Sequence, residues 1–188
     1  LFNAADIMVV GNYCDSIAMA AVGSNGAVIN LLVNLFIGIS VGTNVLVARS
    51  WGQQHADSVF RAVHSAIALS ILTGLLSGVL GIVLAPQILE LISVPDDVLP
   101  LAALYLRIYF IGVPATVVYN FGAAILRAVG DTRHPLYYLT AAGVLNVVCN
   151  LFLVCVCNLG VAGVAIASAL SQYLSALLVL RYLMRLEN

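Results

Sequence analysis

Uncharged apolar stretches recur along this chain, and several approach or exceed the roughly 20 residues that a helix needs to cross a bilayer's hydrocarbon layer. Residues 1–13 read as the outer half of a helix closed by Gly11, Asn12 and Asp15. Residues 16–48 carry no charge and leave length for a tilt or a bend before Arg49-Ser-Trp-Gly-Gln-Gln-His55 interrupts them. A third span covers 58–84, bounded by Pro86, and 86–100, with Glu90, Asp96 and Asp97, reads as a loop or a short interfacial helix. A fourth covers 101–129 and stops at Gly130-Asp-Thr-Arg-His-Pro135. The 46 residues from Pro135 to Leu180 hold no charge, too long a run for one helix, and Asn158-Leu-Gly160 is the turn signal that divides them into spans 135–157 and 161–182. The pattern predicts an all-α, polytopic transmembrane helix bundle whose first helix is partial. Because the chain opens at Leu1 inside an apolar segment and not at Met, its start is expected to be cut.

Composition agrees with a bilayer as solvent. Of the 188 residues 63% are hydrophobic and 8% charged, with a mean hydropathy of +1.10, whereas soluble domains carry about 25% charge. The net charge is -1, all seven basic residues are Arg, and no run of like charges occurs, which argues against a nucleic-acid partner. Cys14, Cys149, Cys155 and Cys157 sit in or beside apolar stretches, where they read as small hydrophobes and not as a disulfide framework or a zinc site.

The breaks set an orientation. Arg49 and Arg61 flank one, Arg127 and Arg133 the next on the same side, and Arg181 and Arg185 follow the last span, whereas Asp15, Glu90, Asp96 and Asp97 lie opposite. The positive-inside rule makes the arginine side cytoplasmic, as for a multi-pass protein of a plasma or inner membrane. Gly38-Ile-Ser-Val-Gly42 and Gly74-Leu-Leu-Ser-Gly78 are small-residue patterns that let helices approach, so a packed bundle is expected. Pro114 is placed to kink its span.

An ionisable group at membrane depth costs several kcal/mol unless water, an ion or a partner meets it. Asp6 is the main case: either it caps a helix end near the interface, or its carboxylate binds a proton or a sodium ion in a cavity. Asn146 and Asn150, four residues apart, share one helix face; their amide oxygens are hard ligands suited to a small cation, or the two side chains make interhelical hydrogen bonds. Ser168 adds a hydroxyl from the last span. Asn30 and Asn34 also share a face and, with Tyr119 and Asn120, are candidates for lining an aqueous path. Arg107 either snorkels to the outer interface or offers a cation to a cavity. HExxH and Walker-type motifs are absent from the sequence, no Ser, His and Asp are placed as a triad, and no metal site is indicated beyond a sodium ion at Asp6. Binding and movement, not bond cleavage, are therefore expected.

The loop Leu126-Arg-Ala-Val-Gly-Asp-Thr-Arg-His-Pro135 resembles the signature between helices four and five of the multidrug and toxic-compound extrusion (MATE) family. Tyr105-Leu-Arg107, Gly112-Val-Pro114, Asn3-Ala-Ala-Asp6 with Val10-Gly11, Ala20-Ala-Val-Gly23, and Gly160-Val-Ala-Gly-Val-Ala-Ile-Ala-Ser168 with Gln172 follow in that family's order. The resemblance covers essentially the whole chain. It implies one six-helix lobe, the N-terminal half, of a twelve-helix antiporter that expels organic, often cationic, compounds in exchange for protons or sodium, with the C-terminal lobe as its missing partner and no other cofactor. It further implies a cation or proton site at Asp6, Asn146, Asn150 and Ser168. Asn150 stands where the family has a second carboxylate and Ser168 where it has a threonine, so one negative charge is lacking. A lipid-linked oligosaccharide flippase of the same superfamily and a non-transporting membrane scaffold are the alternatives. The flippase needs a basic cavity, and the scaffold would send Asp6, Asn146 and Asn150 to separate contacts.

Overall fold

A computed structural model describes residues 2–187. Among them run α1 (Phe2–Tyr13), α2 (Ser16–Ser24), α3 (Gly26–Gly52), α4 (Ala56–Leu91), α5 (Leu99–Ala128), α6 (Arg133–Leu151), which continues into a π-helical turn at Phe152–Val156, and α7 (Val161–Glu187). Five stretches are long and apolar enough to cross a membrane: Ser16–Gly52, Ala56–Leu91, Leu99–Ala128, Arg133–Val156 and Val161–Leu186. The protein is an all-helical, multi-pass membrane bundle.

Two local features depart from the pattern of spans. The stretch read as one helix over 16–48 is interrupted between α2 and α3, where Gly23, Ser24, Asn25 and Gly26 are weak helix formers. The buried Asn25 pins that joint, its Nδ2 donating to the Ala21 carbonyl at 2.8 Å and the Ala102 carbonyl of α5 at 3.2 Å. Pro86, read as a boundary, lies inside α4, which runs on to Leu91.

Helix α5 occupies the centre, with α4, α7, α3 and α2 packed around it. Most of α5 and α7 is buried, whereas α3, α4 and α6 turn much of their surface outward as exposed Leu, Ile and Val. That inversion suits lipid as the outer solvent. Helix α4 meets α5 along a seam of small residues spaced by about one turn: Ala62, Ala66, Ser70, Gly74, Gly78, Gly81 and Ala85. A Cβ on Gly74 would lie 2.7 Å from the Pro114 Cα, and one on Gly81 would collide with the Phe110 ring. The seam therefore brings the two helices into near backbone contact, where dispersion and not hydrophobic exclusion provides the adhesion. Of the two GxxxG patterns, 74/78 forms this interface, whereas Gly38 and Gly42 face open space.

At the arginine-bearing end, α5 closes with Gly130 at φ +90. The Asp131 N–H bonds the Leu126 carbonyl at 2.9 Å and the Gly130 N–H bonds the Arg127 carbonyl at 3.1 Å, the Schellman pattern that favours glycine. That turn aims Asp131 at α6 and α7. Its carboxylate accepts from the backbone N–H groups of Arg133 and His134, both at 3.2 Å, from the His134 ring at 2.6 Å and from the Tyr182 hydroxyl at 3.0 Å. Partial burial works against its charge, but the His134 backbone N–H, the Tyr182 hydroxyl and the His134 ring outweigh it and hold the carboxyl below the usual carboxylate range. A carboxyl lowered in this way stabilises the fold at neutral pH, and the contribution is lost only as pH falls through that lowered range.

Gly74→Ala should lower the thermal unfolding midpoint of the purified protein, with a loss of about 1–3 kcal/mol from overpacking against backbone that cannot retreat. Gly38→Ala should leave the midpoint unchanged or raise it, since a methyl there meets nothing within 4 Å.

Candidate functional site

Four helices converge on one carboxylate. Asp6 of α1, Tyr105 of α5, Asn146 and Asn150 of α6 and Ser168 of α7 are all fully buried, at 0% exposure. The Asp6 Oδ2 accepts from the Tyr105 hydroxyl at 2.7 Å and the Ser168 hydroxyl at 2.6 Å, and its Oδ1 accepts from the Asn150 Nδ2 at 2.9 Å. Behind these donors stands a second layer. The Asn146 Nδ2 donates to the Ser168 Oγ at 3.1 Å, the Asn150 Nδ2 also reaches the Asn146 Oδ1 at 3.3 Å, and the Asn3 Nδ2 donates to the Tyr105 oxygen at 3.3 Å. No ion-pair partner of Asp6 occurs among the described residues. One acceptor is left over: the Asn150 Oδ1 is buried and has no hydrogen-bond partner among them.

Local sequence explains the convergence. The i, i+4 spacing of Asn146 and Asn150 puts both amides on the buried stripe of α6, with Ala142 one turn earlier. Helix α7 brings Ser168 in close because its neighbours Gly163, Val164, Ala165 and Ala167 are small or β-branched; a Cβ on Gly163 would already touch the Leu153 side chain at 3.2 Å. Directly after Asn150, the backbone slips into the π turn, where the Cys157 N–H reaches the Phe152 carbonyl at 3.3 Å. Such turns place one extra residue in a helix and recur beside functional sites.

The structure thus brings Asp6, Asn146, Asn150 and Ser168 into one hydrogen-bonded cluster, not into the separate contacts that a scaffold would show. The other candidates lie elsewhere. Asn30 and Asn34 are exposed on α3, Asn120 is half-buried on α5, and the Tyr119 hydroxyl is committed to the Pro135 carbonyl at 2.7 Å. Arg107 is exposed and adds no cation to the cluster. Sequence reasoning did not assign Tyr105 and Asn3 to the site. Asn3 had a signal, since three residues before Asp6 is the same helix face. For Tyr105 only its polar tip in a buried helix hinted at a partner.

A family model described as MatE matches residues 1–152. The chain is 30% identical over 186 residues to the probable multidrug resistance protein YpnP of Bacillus subtilis, an alignment covering 98% of this chain and 41% of that protein. It is 26% identical over 175 residues to the FAD transporter of Shewanella oneidensis, covering 91% and 38%. The crystal structure of MATE in the bent conformation has the same fold, with a TM-score of 0.94 at 24% identity over 100% of this chain and 42% of that one. The chain therefore spans about two fifths of the length of the relatives it matches. With most of its residues matched by one family model and its helices superimposing on a solved relative, the chain belongs to the MatE family.

Proposed function

We propose that the chain forms the N-terminal lobe of a secondary active efflux antiporter, which exports organic, often cationic, compounds in exchange for protons or sodium, with its arginine-bearing end in the cytoplasm. The observation that carries this reading is the fully buried Asp6 carboxylate, shared by four helices and lacking a cationic partner among the described residues. A carboxylate kept in a low-dielectric interior changes its local energy by several kcal/mol when a proton or cation neutralises it. An ion that binds one arrangement of the helices better than another shifts the population between them, and only such a difference can couple its gradient to movement.

The shell around Asp6 favours a proton over sodium. Asn150 brings an amide and not a second carboxylate, so the site holds one negative charge, enough to take up a proton and weak for a sodium ion, while the three donors stabilise the charged form until it is neutralised. On protonation, a half-turn of the Asn150 amide presents its spare Oδ1 to the acid. Asn30, Asn34 and Asn120 would then belong to the wall of the substrate path, facing the second lobe that the longer relatives contain; Tyr119 would contribute only its ring. The name of the Shewanella relative shows that large anionic cargo occurs within this family, but the exposed, single Arg107 gives no basic cavity here to favour that reading.

In the complete transporter, Asp6→Asn should abolish ion-driven extrusion of a cationic dye from energised cells, at least a tenfold fall in rate. Extrusion at the parent rate under the same gradient would reject the assignment. Tyr105→Phe and Ser168→Ala each delete one donor to a carboxylate, worth about 1.5–3 kcal/mol, so each should shift the pH midpoint of transport by about one to two units while leaving maximal transport measurable. Asn150→Asp adds the missing carboxylate; it should create a sodium-dependent rise in the unfolding midpoint that the parent lacks, read by thermal scans with sodium against choline chloride.

A further inference from the structure

At the arginine-bearing end, a cavity of about 880 Å³ opens between the ends of α3, α4, α5 and α7. Its volume is within the range of small-molecule sites. The buried Ile125 and Leu183 form an apolar floor, and Trp51, Phe60 and Tyr182 supply aromatic walls. Two carboxylates, Asp57 and Asp131, stand at its edge. Six arginines lie at this same end of the bundle, at 49, 61, 127, 133, 181 and 185, yet none of them lines the cavity. Aromatic rings alone would fit an interfacial belt. Gathering them with both carboxylates, while every arginine is kept out, gives the cavity a charge preference that a belt does not need.

From this arrangement we infer a second binding site, remote from Asp6, for a bulky organic cation, held by the faces of Trp51 and Phe60 and by the Asp57 and Asp131 carboxylates. Trp51 and Phe60 are 55% and 53% exposed; the Phe60 ring rests against the His64 ring at 4.0 Å between centroids, which leaves its other face for a ligand. An ammonium or phosphonium centre over such rings gains cation–π attraction, and its apolar body fits the Ile125–Leu183 floor. Asp57 has no hydrogen-bond or ion-pair partner among the described residues and is free to meet the charge. Asp131 keeps its ties to His134 and Tyr182 and acts as a fixed negative charge beside the site. An inorganic cation is a poor match, since no group of three or more His, Cys, Asp or Glu side chains that could hold a metal occurs among the described residues. An apolar peptide is also a poor match, because docking it would strip water from two carboxylates without replacing their partners. The inference rests on the export reading only for why such a ligand meets this face; the binding itself does not involve Asp6.

Trp51 is the only tryptophan of these 188 residues, so in the complete transporter the emission that Trp51→Phe removes reports occupancy. In neutral maltoside micelles, tetraphenylphosphonium should change the Trp51 emission saturably, whereas tetraphenylborate, of like shape and opposite charge, should not at the same concentrations. Asp57→Asn and Phe60→Leu, both at exposed positions, should each raise the half-saturating concentration about five- to tenfold, with unfolding midpoints unchanged. Asp6→Asn should leave it within twofold. Equal responses to the two ions, or parent-like curves for both Asp57→Asn and Phe60→Leu, would overturn the site. The two proposals fail separately: normal extrusion by Asp6→Asn sinks the coupling assignment and leaves this site standing, whereas indifference to both Asp57→Asn and Phe60→Leu sinks this site alone.

Discussion

A polar group inside a membrane bundle has no water to fall back on, so its partners must come from other helices, and the helices are placed accordingly. Asp6 is the clearest instance. Its three donors arrive from α5, α6 and α7, and the first of them, Tyr105, is itself held by Asn3. The chain of contacts does not end there. Asn3 also reaches the Val22 carbonyl of α2 at 3.4 Å, and three residues later Asn25 anchors the α2–α3 joint to the Ala102 carbonyl. Ala102 and Tyr105 are one turn apart on α5. The end of α5 away from the arginines therefore receives two polar pins from the chain's first 25 residues, one of them at the break between α2 and α3.

Apolar packing then takes over where these pins stop. Beyond Tyr105, α5 is gripped on one side by the small-residue seam of α4 and on another by α7, where a Cβ on Gly112 would lie 2.6 Å from the Gln172 Oε1 and one on Gly122 would run into Val179. In lipid, where apolar side chains gain nothing by leaving the solvent, such close approach is the source of specificity. Gly38 and Gly42 carry the same pattern on α3 without a partner in this chain, so spacing alone marks where a helix can approach and not which helix does.

The all-helical class and the membrane setting were legible because charge is scarce and breaks are sharp. The cluster around Asp6 was legible because an acidic residue in an apolar helix and two asparagines four apart are each costly in lipid unless they meet something. Tyr105 was not, since a tyrosine in a half-apolar helix pays no visible penalty until its neighbours are known. The helix break at Asn25, for which the length of 16–48 left room without placing it, and the helix continuing through Pro86 share one cause. Weak formers and proline bias a backbone by about 1–3 kcal/mol, and tertiary contacts of similar size decide the outcome in either direction. The π turn after Asn150 has no compositional signal at all; Phe-Leu-Val-Cys-Val reads as ordinary apolar helix.

These unequal attachments divide the bundle into a closely tied frame and two helices with fewer ties. Helices α5 and α7 are fitted by glycine contacts along their length, joined by the Tyr173 hydroxyl on the Ile111 carbonyl at 2.7 Å, and tied again past the end of α5 by Asp131 and Tyr182. Ile111 and Asp131, where these two ties attach, are 20 residues apart along the chain, so the two helices are fastened at two separate levels. Helix α6 scarcely touches α5; it leans on α7 and on α1, and its outer end carries the π turn, whose extra residue offers a change of register without breaking the helix. Among the described side chains of helix α1, the buried apolar anchors besides the Asp6 network are Val9 and Val10. In the proposed cycle, neutralising Asp6 therefore alters the contacts that place α1 and α6 while the α5–α7 frame stays fixed. Tyr105 and Ser168 on that frame are the points against which those two helices would move.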